Sequence, residues 1–262
     1  FTTARGRLVG AFEEYLRSGS FPEVLLAANP AERRRLLQNY FQTIFYRDVV
    51  ERHNIRARTT LEALMGELLE SSACLFSISK FEKSLKQNNL PGSKRTISNY
   101  FQFLQEAFFM IAHEKFSHSP RKRLMNPKKV YLVDTGFATL GRSFSQNRGR
   151  ILENLVAIEL HRRGEEVTYF KGRHECDFIL SRERRPAEAI QVCWELSNRN
   201  EKRELTGLSE AARTHGLKQL LILTFDQRDT VRFGGGAARV LPVWEWLLMP
   251  AGDGIANDIQ EA

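Results

Sequence analysis

The feature that most constrains the fold of this chain is a change in its hydrophobic pattern near Asn147. Upstream, apolar residues recur at helical spacing in segments that cover 7–18, 30–52 and 59–72. Downstream, a helix to about Arg163 gives way to short apolar runs that are typical of strands. This order predicts an α/β protein whose first part is mainly helical.

The part of the chain downstream of Asn147 follows the order αβββαβ. After the helix, strands, a second helix and a buried strand are expected near 167–171, 176–181, 189–194, 199–215 and 219–225. A short strand at 239–242 and a helical turn at Trp244 follow. We expect these strands to form a mixed sheet, with the residues after Pro250 as a frayed tail.

Between these two regions, the sequence predicts two helices joined by a short turn and followed by two strands. The parts are a short helix from Ser77, a turn at 88–92, a helix from Ser93 to about Glu106, and strands at 108–116 and 130–133 around a basic loop at 117–129. A winged helix has this order of parts. Ser93 is expected to cap the second helix.

The second helix of this pair is the one that lies in the major groove when a helix-turn-helix binds DNA. Its candidate DNA-binding residues are Lys94, Arg95, Ser98 and Asn99. The basic loop adds candidate phosphate contacts at Arg121, Lys122, Arg123, Lys128 and Lys129. A net charge of +8 favours an acidic partner. The alternative is that these charges form an ordinary solvated face, or that the domain contacts protein.

Several classes of protein are disfavoured. The longest apolar runs, such as 220–223, are far shorter than the roughly 20 residues of a membrane span. The three cysteines show no zinc-ligand spacing, and they suit a reducing cytosol, so we expect a soluble cytoplasmic protein. The chain opens Phe-Thr-Thr without a signal sequence, which we interpret as the start of a piece of a longer polypeptide.

Polar residues of the second half offer part of a set of ligands for Mg²⁺. Glu153 lies in the helix that follows Asn147, Asp177 lies on a strand, and Gln191 lies on the next strand. Gln191 and Cys193 are two residues apart, so they point to the same face of their strand. The alternative is that all these polar groups are bonded to neighbours within the fold.

The αβββαβ order with a helix Glu, a strand Asp and a following (Glu/Gln)-x-Lys motif resembles the PD-(D/E)XK nuclease superfamily over about 147–225. The resemblance implies Glu153 and Asp177 as metal ligands and Gln191 as the third catalytic position. Cys193 stands where that superfamily has lysine. A thiol suits Mg²⁺ poorly and cannot replace an ammonium group. Lys171 or Arg173 could supply the cation from another element.

Other motifs resemble the C-terminal portion of prokaryotic P-loop ATPases of the AAA+ type that carry a domain of unknown function. These motifs are Gly19-Ser20-Phe21-Pro22-Glu23-Val24, Phe45-Tyr46-Arg47-Asp48-Val49, the run from Lys128 to Gly136, and Glu153-Asn154. The resemblance spans nearly the whole chain. It implies an upstream ATPase module, which would bind the ATP, because this chain has no Gly-x-x-x-x-Gly-Lys-Ser/Thr loop.

On this interpretation the chain has four segments. They are a helical remnant of the ATPase lid or linker at 1–56, a winged helix-turn-helix at 57–146, a nuclease-like domain at 147–250 and a tail at 251–262. The first hypothesis is a DNA-binding module whose nuclease-like domain is catalytically degenerate. The alternatives are a Mg²⁺-dependent endonuclease and a protein-interaction arm of the ATPase. The oligomeric state stays open.

Overall fold

The structure is a computed structural model that describes residues 2–141, 147–234 and 236–250. The chain is a mixed α/β protein, as the sequence predicts. It forms two compact units, which are Phe1–His113 with Met125–Ile158, and Glu114–Leu124 with Glu159–Ala262. The predicted tail at 251–262 lies outside the described residues.

The first unit begins with helices. They are α1 (Thr2–Ser18), α2 (Pro22–Leu26), α3 (Pro30–Thr43), α4 (Arg58–Glu70), α5 (Ile78–Gln87) and α6 (Lys94–Glu106). A π-helical segment, Ile44–Glu51, continues α3. The predicted cap at Ser93 is confirmed, since its side-chain oxygen accepts a hydrogen bond from the Thr96 N–H at 3.2 Å.

A small antiparallel sheet completes the first unit. Its strands are β1 (Cys74–Phe76), β2 (Met110–Lys115) and β3 (Lys128–Leu132), in the order β1-β3-β2. Strand β2 ends in Glu114 and Lys115, which belong to the second unit. The predicted apolar faces of α4 and α6 are confirmed, because Leu61, Leu64, Ile97 and Leu104 are all fully buried in one core.

The second unit is built on a mixed sheet, as expected. Its strands are β4 (Glu166–Lys171), β5 (Glu175–Arg182), β6 (Arg185–Val192), β7 (Gln219–Thr224), β8 (Asp229–Phe233) and β9 (Gly236–Pro242). The order is β4-β5-β6-β7-β9-β8, with β6, β7 and β9 parallel and the other pairs antiparallel. The ends of β2 and β4 also pair in parallel, through Glu114 and Lys115.

Helices connect and cover these strands. They are α7 (Pro120–Met125), α8 (Arg148–Arg162), α9 (Glu201–His215) and α10 (Val243–Leu248). Helix α9 makes the crossover between parallel strands β6 and β7. Its residues Leu208 and Ala211 are fully buried in a core with Cys176, Ile179 and Ala189 of the sheet. Residues 148–158 of α8 belong to the first unit and 159–162 to the second.

The structure differs from the prediction in several local elements, among them helix α2, which lies partly where a turn at 19–23 was expected. The segment 117–129, expected to be a loop throughout, contains helix α7. Its start has the usual chemistry of a first turn, because Pro120 follows Ser119 and the Ser119 Oγ accepts from the Lys122 N–H at 3.4 Å. Strands β1 and β8 were not predicted, since each is short and depends on a partner strand elsewhere in the sequence.

Candidate functional site

Helices α5 and α6 follow each other in the first unit and are joined by the short segment 88–93. Helix α6 buries four residues, Ile97, Tyr100, Phe101 and Leu104, which recur at helical spacing. The opposite face is exposed and carries Lys94, Arg95, Ser98, Asn99 and Gln102. All four DNA-binding residues predicted for this helix therefore lie together on one solvent-facing surface, which we call the α6 face.

The N-terminal half of the α6 face is cationic. Within the part of the chain that the structure describes, neither Lys94 nor Arg95 has a hydrogen-bond or ion-pair partner. Helix α5 adds exposed Lys80 and Lys83. Glu106 lies at the far end of α6, where it accepts a hydrogen bond from Gln102 at 2.8 Å. The charge and the amide dipoles of the helix start thus favour an anion at the same place.

The predicted cations of the basic loop separate into two groups. Arg121 and Lys122 are exposed on α7. Arg123 is half-buried, and its Nη1 donates to the Ser117 carbonyl at 2.8 Å. Lys128 is also half-buried. Arg121 and Lys122 therefore have the exposure that a phosphate contact requires.

The prediction that Lys129 contacts a phosphate is wrong, because its side chain is buried in the first unit. Its side chain is 2% exposed, and its Nζ lies 2.8 Å from Glu153 Oε1. The Tyr131 hydroxyl donates to the same oxygen at 2.9 Å. Lys129 and Tyr131 share one face of strand β3, so both side chains point to helix α8. Glu153 is thus held in the first unit by two neighbours on β3.

The next residue, Asn154, ties α8 to the backbone of the same strand. Its Oδ1 accepts from the Leu132 N–H at 2.8 Å, and its Nδ2 donates to the Leu132 carbonyl at 2.9 Å. The Ser72 hydroxyl donates to the same Oδ1 at 2.5 Å. Such two-way bonding of a buried amide fixes the position of a helix on a strand. The Glu153-Asn154 motif therefore has a structural use in the first unit.

Two further sequence motifs meet at the buried carboxylate of Asp134. Its Oδ2 accepts hydrogen bonds from the Ser20 N–H and Oγ, both at 2.6 Å, and its Oδ1 accepts from the Gly136 N–H at 2.7 Å. Gly19 has φ 79°, and a Cβ there would lie 1.8 Å from Asp134 Oδ1. Glycine at 19 therefore allows the close approach that these hydrogen bonds require.

In the second unit, four polar side chains form a buried acidic cluster, which consists of Asp177, Gln191, Cys193 and Glu204. The Val192 N–H donates to Asp177 Oδ2 at 2.9 Å. Gln191 accepts from the Asp177 N–H at 3.4 Å and donates from Nε2 to Glu204 Oε2 at 2.8 Å. The structure thus brings together three of the predicted nuclease positions, while Glu153 belongs to the first unit.

Arg203 is the cation of this cluster. It bonds to Glu204 Oε1 through both Nη2 and Nε, the latter at 3.1 Å. Of the two cations considered from the sequence, Lys171 pairs with another carboxylate, since its Nζ lies 3.1 Å from Glu175 Oε2, and the backbone N–H of Arg173 donates to Glu210. Arg203 and Glu204 were missed because their run, Glu-Lys-Arg-Glu, has the composition of an ordinary solvated first turn.

Cys193 sits in this cluster as a neutral thiol. Burial, with the negative charges of Glu204 and Asp177, raises its pKa to about 12. A protonated thiol neither binds Mg²⁺ nor offsets charge on a phosphate. Across 2–141, 147–234 and 236–250, no group of three or more His, Cys, Asp or Glu residues has a metal-binding arrangement. The acidic cluster as it stands does not fit a Mg²⁺ ion.

Comparison with known proteins gives a family and two relatives. Residues 9–147 match the family described as a domain of unknown function, DUF8612. The chain is 34% identical over 258 residues to the uncharacterized protein MJ1544 of Methanocaldococcus jannaschii, covering 94% of this chain and 57% of the relative. It is 28% identical over 250 residues to an uncharacterized protein of Haemophilus influenzae, covering 94% of this chain and 60% of the relative.

The chain therefore spans less than two thirds of the length of both relatives. No solved structure matches it. No helix within the described residues has the length and apolar character of a membrane span. Since the family match covers more than half of the sequence, the chain belongs to the DUF8612 family of domains of unknown function.

Proposed function

We propose that this chain is a nucleic-acid-binding module that holds duplex DNA through the α6 face. The observation that carries the proposal is the exposed row of Lys94, Arg95, Ser98 and Asn99 at the start of α6, the second helix of the pair α5 and α6. Cations and amides at such a position can reach phosphates and base edges. Arg121 and Lys122 of α7, in the second unit, are separate candidates for phosphate contacts.

The arrangement of the first unit supports a winged helix. Its elements run α4-β1-α5-α6-β2-β3, and β1 lies beside β3 in the antiparallel sheet β1-β3-β2. In that fold the second helix of the pair stands free of the sheet on one side. The exposure of every polar residue on the α6 face is consistent with this use.

We further propose that the module is the C-terminal part of a P-loop ATPase of the AAA+ type. The motifs that resemble such proteins are 19–24, 45–49, 128–136 and 153–154. The two relatives are longer than the region they share with this chain, which leaves length for another domain in each. ATP binding would belong to that further region, because the chain itself lacks a phosphate-binding loop.

The second unit, in this proposal, is a nuclease-like domain that does not cut DNA. In chain order, the elements from residue 148 onward, α8-β4-β5-β6-α9-β7, agree with the αβββαβ pattern of the PD-(D/E)XK superfamily, although 148–158 of α8 belong to the first unit. Asp177 and Gln191 occupy neighbouring strands, as the resemblance implies. The neutral thiol of Cys193 in the lysine position, and the hydrogen bonds that already use Asp177, Gln191 and Glu204, support a loss of cleavage.

One observation favours a Mg²⁺-dependent endonuclease as the second candidate. Asp177 and Glu204 have buried carboxylates, and Gln191 bonds to the backbone N–H of Asp177 and to the carboxylate of Glu204, beside the guanidinium of Arg203. Two carboxylates and a cation are the side chains from which a phosphodiester-cleaving site is built. This candidate requires the acidic cluster to rearrange when DNA and metal bind.

The test of DNA binding compares two double variants of equal charge. Lys94→Ala with Arg95→Ala removes the cations of the α6 face, whereas Lys202→Ala with Arg213→Ala removes two exposed cations of α9. Fluorescence anisotropy with a labelled duplex, at two salt concentrations, should show at least a tenfold weaker affinity for the first variant, by roughly 1–3 kcal/mol per lost contact. The second variant should bind within about twofold of the wild type, because exposed cations that make no direct contact with DNA add only a screened contribution.

If the two variants lose affinity for the duplex equally, the α6 face contributes only non-specific positive charge. If the wild type does not bind the duplex, the proposal of DNA binding is wrong and a function in protein contacts is favoured. The same samples, incubated with Mg²⁺ or Mn²⁺ and supercoiled DNA, test cleavage. Cutting that Asp177→Ala abolishes would support the endonuclease and contradict the loss of cleavage.

A further inference from the structure

The short helix α7 leaves two apolar side chains in solvent. Leu124 is 75% exposed and Met125 is 79% exposed. They follow Arg121 by three and four residues, which is the spacing of neighbours on one helical face. Arg121 and Lys122 are exposed as well. One small surface, which we call the α7 tip, therefore combines two cations with two large apolar groups.

The base of this loop is anchored within the second unit. Arg123 Nη1 donates to the Ser117 carbonyl at 2.8 Å, and its Nε lies 3.5 Å from Glu114 Oε2. The Phe116 N–H donates to the Tyr169 carbonyl at 2.8 Å. The side chain of Arg123, the third cation of α7, therefore points to the base of the loop and not to the α7 tip. The apolar residues of the α7 tip are exposed on an anchored helix, so burying them requires a partner.

We propose that the α7 tip is a DNA wedge. In this proposal Leu124 and Met125 enter the minor groove and separate a base step, while Arg121 and Lys122 contact the flanking phosphates. The inference rests on the proposed DNA-binding function and adds a distortion of the duplex to it. Apolar wedges of Leu, Met or Phe beside cations are the means by which minor-groove proteins unstack and kink DNA.

Duplex DNA suits the α7 tip better than a protein partner or a membrane. Two side chains are far too few for a stable protein interface, which buries on the order of 1,000 Å² or more in total. A helix of six residues is also shorter than the amphipathic helices that bind membranes. A base step, by contrast, is an apolar slot of the size of one or two side chains with phosphates on both sides.

The experiment uses the full chain and a short duplex that reports distortion in two ways. The duplex carries 2-aminopurine at a central TA step, which is readily unstacked, and a donor and acceptor dye at its ends. The test variant is Leu124→Ala with Met125→Ala. The control is Leu26→Ala with Leu248→Ala, which removes two leucines that are 86% and 72% exposed at other places.

Wild type and control should raise 2-aminopurine fluorescence and energy transfer between the ends. The test variant should leave both signals at the level of free DNA and bind at least tenfold more weakly, because it truncates both apolar side chains of the wedge. Its salt dependence should match the wild type, because the cations remain.

Three results would overturn the proposal, and each has a different meaning. If the test variant distorts DNA as the wild type does, the wedge is wrong while DNA binding stands. If the wild type does not bind the duplex, the proposed function itself fails. If the wild type sediments with anionic phospholipid vesicles, the test variant does not, and neither changes the DNA signals, the α7 tip binds a membrane surface.

Discussion

The α6 face and the acidic cluster are both groups of polar side chains that the sequence singles out, yet they differ in how their atoms are used. Lys94 and Arg95 are exposed and make no partner within the described residues. Gln191 and Glu204 are buried, and their polar atoms bond to each other and to neighbours. Polar side chains that can bind an external ligand are exposed, whereas polar side chains that bond within the protein stabilise the fold.

The comparison predicts that the largest effect on stability comes from the acidic cluster. Glu204→Ala removes the acceptor of Gln191 and of Arg203, so we expect the free energy of unfolding to fall by about 3 kcal/mol. Urea denaturation measures it, with Glu201→Ala in the same first turn as the control. A loss equal to that of the control would mean that the cluster does not stabilise the fold.

The second prediction concerns pH and another buried carboxylate of the second unit, Glu188. Burial raises its pKa from 4.5 to about 7, despite Arg182 at 3.9 Å. Between these pH values the folded protein keeps a proton that the unfolded chain has released. The contribution of Glu188 to stability is therefore most favourable below pH 4.5 and falls as pH rises to 7, by up to roughly 3 kcal/mol.

Glu188→Gln removes this dependence, because the amide stays neutral. The variant should be more stable than the wild type at pH 8 and similar to it at pH 4.5. Urea midpoints at both pH values measure this, with exposed Glu166→Gln as the control. A wild-type advantage at pH 8 would show that Arg182 and the more distant Arg163 and Arg239 outweigh the burial of Glu188.

The smallest effects should separate two kinds of contact on the α6 face. Lys94→Ala should lower the salt slope of DNA binding by about one, equally for all sequences. Asn99→Ala should cost about 1–3 kcal/mol on a preferred duplex and leave the salt slope unchanged, as loss of a base contact does. Anisotropy titrations over a salt series measure both. Identical salt slopes for the two variants would show that Lys94 and Asn99 do not make different kinds of contact with DNA.

The sequence predicts the elements of this fold better than their partners. Helix α6, its cap at Ser93 and the mixed sheet follow from local patterns of polarity and spacing. Strand β1 does not, because three residues form a strand only through pairing with β3, more than fifty positions away. The burial of Lys129 was missed for a related reason, since a lysine is placed in solvent unless its partner, here Glu153, is known.

The same limit applies to the candidate sites. The α6 face could be predicted because the exposed side of an amphipathic helix is fixed by its own residues. The acidic cluster could be predicted only for Asp177 and Gln191, which lie on the neighbouring strands β5 and β6, and for Cys193, which directly follows β6. Arg203 and Glu204 reach it from α9, and nothing in their local sequence marks the second as buried at 3% exposure.

The hydrogen bonds at Asp134 bear on how the first unit can be divided. A fragment that starts at residue 57 would contain both α5 and α6, yet it would leave out Ser20, which supplies two of the three hydrogen bonds that Asp134 accepts. The fragment would carry a buried negative charge with one donor in place of three. We therefore expect a fragment that begins at residue 57 to be less stable than the whole first unit, because the first fifty residues supply part of the hydrogen bonding of its core.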